Sequence, residues 1–237
     1  MAKKKVKVRV KKRKLKIGRI LLCLLVFLLI GVSFHFVRKL PIKNIYIIGN
    51  NIVPESEILD LSGVKNYPSF IDTNISKIMN NIMSNEYINN VKVEKKLWGK
   101  IYVYIEEKKI LCIYNNKILL DDSSLVDNNY NVYGYPTLIS DITNIFDKFV
   151  DKFSKVNIET LFQISEIEYT PNEVDNERFS LMMDDGNLVY ITLNRITKIN
   201  KYNSIYSSMN GKKGIIYLDS GDYVEIKDNE WWHLKLY

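Results

Sequence analysis

The residue types that carry most enzyme chemistry are scarce in this chain of 237 residues. Two histidines, His35 and His233, and two cysteines, Cys23 and Cys112, are all it holds. No Cys/His group has metal-ligand spacing, and no glycine-rich loop follows a β-rich run to cradle phosphate. The Gly-x-Ser-x-Gly elbow of the serine hydrolases is absent. Asp121-Asp122 and Asp184-Asp185 are the two places where paired carboxylates would suit acid–base work. Both lie in turn-rich stretches, where aspartate bonds to its own backbone. Asn74-Ile75-Ser76 matches a glycosylation acceptor, but it falls within a segment of helical spacing. The expectation is a protein that is not an enzyme and takes no cofactor and no metal.

The charge is distributed unevenly. Formal net charge is +7, yet residues 1–19 alone carry +11 with no acid, and residues 40–237 carry −6. Such asymmetry fits either a nucleic-acid-binding arm or a membrane-orienting flank. The next segment chooses the second. Ile20–Val37 is a run of 18 residues without formal charge, 14 of them Ile, Leu, Val or Phe. It would span about 27 Å as a helix, close to the hydrocarbon thickness of a bilayer. Those residues favour insertion by roughly 4–8 kcal/mol in sum, more than Ser33 and His35 oppose. A signal peptide has a shorter apolar core and ends in small residues, whereas Phe34-His35-Phe36-Val37 stand here. With the cations before the span, the N-terminus is expected in the cytoplasm and the C-terminus outside. Cys23 falls within the span and Cys112 outside it, so no disulfide holds the fold.

The elements after the span read as α+β. Ile42–Ile48 is a β-rich run ending at Gly49-Asn50-Asn51. Pro54 suits the first position of a helix that Gly63 stops. Asp72 or Thr73 is placed to cap a second helix, whose stripe is Ile75, Ile78, Met79, Ile82 and Met83. The period then changes to two: Val91 and Val93, a turn at Trp98-Gly99, then Ile101, Val103 and Ile105. Residues 40–107 thus read β-α-α-β-β. Beyond them, residues 108–227 open with a hairpin around Asn115-Asn116. Residues 121–136 are turn-rich, and Ile142–Ile164 is predicted helical with a break near Asn157. Ile167–Tyr169, Arg178–Met183 and Leu188–Leu193 are predicted strands. Ile196, Ile199, Tyr202, Ile205 and Met209 recur at helical spacing. A last hairpin pairs Gly214–Leu218 with Tyr223–Ile226, leaving residues 228–237 as a tail.

This order of parts resembles the FtsQ/DivIB family of bacterial cell-division proteins. The resemblance rests on the basic tail, the span, Ile42-Lys43-Asn44-Ile45-Tyr46-Ile47-Ile48-Gly49-Asn50, and the β-α-α-β-β unit closing on Val103-Tyr104-Ile105-Glu106. Lys108–Asp127 is similar to the family's entry into its second, β domain, and Gly211–Asp222 to its terminal hairpin. Trp98-Gly99 departs from the family's frequent proline, and Ser123-Ser124 from its common glycine. The resemblance implies a POTRA domain beside the membrane, then a β domain. It also implies a non-enzymatic scaffold at the septum, binding the single-span coiled-coil proteins FtsL and DivIC (FtsB) and helping to regulate septal wall synthesis. It further implies that the terminal region receives a strand from the partner.

A sheet edge exposes N–H and C=O groups that another extended segment can complete. Tyr217, Leu218, Tyr223, Val224 and Ile226 are therefore the expected partner-binding residues, with about half turned inward by strand alternation. The β-α-α-β-β unit either docks a partner or spaces the β domain from the bilayer. A single-span receptor and a membrane-anchored cell-wall hydrolase are the competing readings; the short tail and the missing catalytic groups argue against each. Protease added to intact protoplasts is expected to digest the chain down to its span, removing an epitope at Tyr237. Protection of that epitope would overturn the orientation.

Overall fold

The structure, a computed structural model, describes residues 16–227. The basic residues 1–15 and the tail 228–237, with Trp231 and Trp232, lie outside the described residues. The apolar run forms α1 (Ile17–Arg38), slightly longer than Ile20–Val37, and none of its residues is buried against the rest of the protein. It is long and apolar enough to cross a membrane.

The first unit is built on a three-stranded sheet. β1 (Asn44–Ile48) runs parallel to β3 (Lys100–Glu107), which pairs antiparallel with β2 (Ile88–Lys96), in the order β1-β3-β2. Its inward residues, among them Val91, Val93, Ile101, Val103 and Ile105, meet Ile58 of α2 (Glu55–Ser62) and Ile78 and Ile82 of α3 (Ile75–Ile82). Gly49 ends β1 at φ 96°, where a Cβ would stand 2.3 Å from the Ile105 carbonyl oxygen. Only glycine fits there.

Two helix starts shift from the sequence reading. Pro54 is the N-cap of α2, one position before its first helical residue. Asn74, not Asp72 or Thr73, caps α3 by accepting a hydrogen bond from the Lys77 N–H, so the glycosylation match is a capping residue. Met83 falls outside α3 and is exposed.

The second unit is a nine-stranded sheet. Its strands are β4 (Ile110–Tyr114), β5 (Lys117–Leu120), β6 (Leu125–Val126), β7 (Thr137–Leu138), β8 (Ile164–Tyr169), β9 (Arg178–Met183), β10 (Leu188–Thr192), β11 (Gly214–Tyr217) and β12 (Tyr223–Ile226). The order is β12-β11-β10-β9-β8-β7-β4-β5-β6. β6 lies within the turn-rich stretch 121–136 and β7 just after it; at two residues each, neither has a counterpart in the sequence reading. Within 121–136, Ser123 takes the left-handed conformation, φ 71°, which glycine adopts most readily. Tyr130 reaches back to the first unit, donating to Glu57 of α2 at 2.7 Å and stacking edge-on against Tyr87.

The long helix expected over Ile142–Ile164 is divided. A 3₁₀ turn at Thr143–Ile145 leads into α4 (Phe146–Phe153), and Asn157 starts α5 (Ile158–Leu161) before the chain enters β8. The break at Asn157 falls where expected. Between β10 and β11, a nine-residue 3₁₀ helix, Leu193–Lys201, precedes α6 (Tyr202–Ser208). Leu193, Ile196, Ile199 and Tyr202 recur every third residue and are all buried. A helix of three residues per turn stacks them on one line; an α-helix would rotate them apart.

α4 and the 3₁₀ helix cover one face of the sheet, where Phe149, Phe153 and Phe179 form the centre of the core. β4 and β5 are buried on both faces. Leu111, Cys112 and Leu119 enter this second core, while Ile110, Ile118 and Leu120 join the core of the first unit. That explains why their apolar residues run continuously instead of alternating. Cys112 is fully buried and Cys23 exposed on α1; burial pushes the Cys112 thiol up.

Phe179 is 0% exposed. Phe179→Ala is expected to lower stability by roughly 3–5 kcal/mol in denaturant unfolding of the detergent-solubilised chain. A loss below about 1 kcal/mol would mean that this core is not closed as described.

Candidate functional site

β12 is the edge strand of the nine-stranded sheet, and no strand pairs with its outer side among the described residues. Its hydrogen-bonding register decides which groups are offered. The Lys227 N–H donates to the Lys213 carbonyl at 3.0 Å, and the register pairs Ile215 with Glu225 and Tyr217 with Tyr223. In an antiparallel ladder hydrogen-bonded pairs alternate with non-bonded ones. Glu225 and Tyr223 therefore point their backbone groups into the sheet. Val224 and Ile226 direct their N–H and C=O outward, and they form the free edge.

The side chains divide differently. Tyr223 and Ile226 are 53% and 44% exposed. Val224 is half-buried and packs on the second core, on the same face as Ile216. Tyr217 stacks on Tyr223 with ring centroids 4.5 Å apart and on Tyr190 of β10 at 5.6 Å; the Arg178 guanidinium lies 3.8 Å over the Tyr190 ring. This ladder crosses β9 to β12 on the face away from the helices. Leu218 is a correction. Although expected at the partner surface, it is 4% exposed and belongs to the core. Its N–H donates to the Tyr190 carbonyl at 2.7 Å, which fixes its side chain inward.

Three polar constellations hold the hairpin, and none was singled out from the sequence. Asn187, 0% exposed, accepts from the Gly214 N–H at 2.8 Å and donates to the Tyr202 hydroxyl at 2.9 Å and to Asp185 at 3.0 Å. Tyr202 in turn donates to Asp185 at 2.6 Å. Burial and that carboxylate push the Tyr202 phenol up. Asp185 is thus occupied in turn and core bonding, as Asp122 is with Ser124 and Lys108. In the second constellation Arg178 and Asp219 form an ion pair of 2.7 Å with side chains 17% and 10% exposed. In the third, Arg195 and Lys198 grip Asp222, and the hydrogen bond from Lys198 holds that carboxyl below its ordinary range. The sequence marked only turns, at Asp184-Asp185 and in the last hairpin that holds Asp219 and Asp222; long-range pairing hid the partners.

No group of three or more His, Cys, Asp or Glu able to hold a metal occurs among the described residues. The arrangement offers a backbone edge flanked by aromatic and apolar side chains, and such an edge has the chemistry to pair with another extended segment. A groove of about 620 Å³ lies on the same outer face farther along the sheet, lined in part by Met182, Leu188 and Glu168.

Burial raises the pKa of Asp219, but the Arg178 hydrogen bond and the Ser220 N–H outweigh it and hold the carboxyl below its usual range. A carboxyl lowered by folding contributes stability above the unfolded value of about 3.9, and that contribution is lost as pH falls through the folded value. Protection of β11 and β12 amides against hydrogen exchange is therefore expected to fall below about pH 4. Asp219→Asn should flatten that acid limb and cost on the order of 3 kcal/mol at neutral pH, because it leaves Arg178 without its partner. An unchanged acid limb in the variant would assign the effect to other carboxylates.

Of the comparisons with known proteins, the family model bears on the fold of the three-stranded unit. The model of the POTRA domain, FtsQ-type, matches residues 40–108. Cell division protein DivIB of Bacillus subtilis (strain 168) is 27% identical over 225 residues, spanning 90% of this chain and 86% of the relative. DivIB of Bacillus anthracis is 27% identical over 235 residues, spanning 93% and 88%. Among solved structures, the major extracytoplasmic domain of the trans isomer of DivIB from Geobacillus stearothermophilus aligns with a TM-score of 0.37 at 18% identity, covering 44% of this chain and 96% of that one. The domain matched at residues 40–108 and the relatives aligned over most of their length show what this chain is similar to: an FtsQ-type POTRA domain at residues 40–108, and the DivIB cell-division proteins over nearly the whole chain.

Proposed function

We propose that this protein is a non-enzymatic, single-span scaffold of the division machinery, with residues 1–19 in the cytoplasm and residues 40–227 outside, acting at the septum. Residues 40–107 form its POTRA domain and 108–227 its β domain. Its free β12 edge accepts an extended segment from an FtsL-like or DivIC (FtsB)-like single-span partner, and through that complex it helps regulate septal wall synthesis. The observation that carries this reading is the outward row of backbone groups at Val224 and Ile226, flanked by exposed Tyr223 and by Ile226 itself. Main-chain bonds to such a row supply affinity, and the flanking side chains supply selection. Tyr217 contributes by holding Tyr223 through their stacked rings. Leu218 supports the hairpin from within.

Proline separates the two roles of the strand. At Val224 the lost N–H faces outward, where an edge strand tolerates proline. At Tyr223 the lost N–H is one that bonds across to Tyr217 within the hairpin. Val224→Pro is therefore expected to keep the hairpin's amide protection and lose most co-purification with a DivIC-like partner from membranes. Tyr223→Pro should lose both. Recovery of the partner at wild-type yield by a folded Val224→Pro chain would sink the proposal.

A further inference from the structure

The turn between β2 and β3 carries two large apolar side chains that no packing requires. Leu97 is 81% and Trp98 80% exposed. The three-residue turn asks for a left-handed residue, and Trp98 itself stands at φ 69° beside Gly99 at φ 73°. A bulky residue is disfavoured in that conformation, where glycine or asparagine would serve the turn better. Neither the core nor the turn accounts for this tryptophan.

Its place in the fold supplies a reason. The Gly99 carbonyl accepts from the Lys43 N–H at 2.8 Å, and a Cβ on Gly99 would lie 3.2 Å from the Pro41 carbonyl oxygen. Pro41 is three residues past Arg38, the last residue of α1, so Pro41 lies within about 11 Å of the helix end and the turn packs directly against it. That segment is not a loose linker. The Phe70 N–H donates to the Leu40 carbonyl at 2.9 Å, the Ile42 N–H to the Pro68 carbonyl at 3.0 Å, and the Ser69 hydroxyl to the Arg38 carbonyl. Arg38 pairs with Asp72 at 2.8 Å, and the Lys95 ammonium donates to the Phe70 and Thr73 carbonyls at 2.6 Å each. The β2–β3 turn and the helix exit are one hydrogen-bonded cluster.

The surroundings of this cluster match a membrane surface. Leu40 and Ile71, also exposed, stand on the segments bonded to the helix exit. The exposed cations Lys39, Lys43 and Lys96 flank them, and the two nearby acids, Asp72 and Glu94, are already paired with Arg38 and with Lys92 and Lys96. Tryptophan and leucine with cations around them are the side chains that settle at the boundary between headgroups and acyl chains. Val174, more exposed still, lies in the acidic loop Glu173-Val174-Asp175 and has no such company.

We propose that Leu97 and Trp98, with Leu40 and Ile71, form a second membrane contact, seated in the headgroup region of the leaflet from which α1 emerges. The occupant of this apolar surface is lipid, and the contact holds the three-stranded unit at a set attitude on the bilayer. The proposal rests on α1 spanning the membrane, and the test separates the two. The full chain carrying Trp231→Phe and Trp232→Phe keeps Trp98 as its only tryptophan. It is reconstituted into phosphatidylcholine–phosphatidylglycerol vesicles, and flotation after a carbonate wash reports insertion of α1. Trp98 emission is expected to be blue-shifted, protected from acrylamide, and quenched by lipids brominated near the headgroup end of the acyl chain. Adding Leu97→Ser should reduce the lipid quenching and leave flotation unchanged. A chain that floats while Trp98 emits as in water and is fully open to acrylamide overturns the contact and leaves the anchor standing. That result, joined to protection of Trp98 in whole cells, would give the surface to a protein partner instead. A chain that does not float sinks both.

Discussion

Burial of β4 and β5 on both faces is the constraint on which the rest of the molecule depends. Ile110, Ile118 and Leu120 close the core of the three-stranded unit, while Leu111, Cys112 and Leu119 close that of the nine-stranded sheet. A hairpin apolar on both sides has no face to give to solvent, so each unit completes the other. Tyr130, bonded to Glu57 and packed on Tyr87, adds a polar tie across the same junction. The two units are held together for a physical reason. Separating them would expose both sides of one strand pair to water.

This junction has a mechanical consequence. α1 is bound to the loop at residues 68–73 by backbone and side-chain hydrogen bonds, that loop is bound to β2 through Lys95, and β3 runs directly into β4. From β4 the sheet continues through six strand spacings to β12, roughly 29 Å at the usual separation between strands. A partner strand added to β12 would thus be received at a set distance from the membrane exit, not on a free tether. Any segment that pairs with this edge while anchored in the same bilayer would be limited by that geometry in the height and direction at which it arrives.

Stability of the β12 edge comes from a different kind of interaction than stability of the core. The hairpin β11–β12 is short, and its outer strand has little apolar burial beyond Val224. Arg178–Asp219, the grip of Arg195 and Lys198 on Asp222, and Asn187 at Gly214 replace hydrophobic area with directed polar contacts. Directed contacts hold a strand in register while leaving one of its sides unpaired, which unselective apolar packing does not do.

Much of this protein was legible before any tertiary contact was known, because the signals are local. The charge-flanked apolar run, the change of period from helix to strand after residue 90, and the turns at Asn115-Asn116 and Asp184–Asn187 all depend on neighbours within a few residues. Caps and ends moved by a position or two, as at Asn74. Period alone also did not separate the 3₁₀ line of Leu193, Ile196, Ile199 and Tyr202 from an α-helix. What tertiary structure alone decided is non-local: the parallel pairing of β1 with β3, the two-sided burial of β4 and β5, and the edge position of β12. The alternation of Tyr223–Ile226 required that half the strand face inward, but which backbone groups faced out was set by the Lys213–Lys227 pairing across the hairpin. Leu218 was lost to the core through its bond to Tyr190, a residue 28 positions earlier in the chain. Side-chain type determined what each segment prefers; sheet order and register, properties of several segments at once, determined which groups remain for a partner.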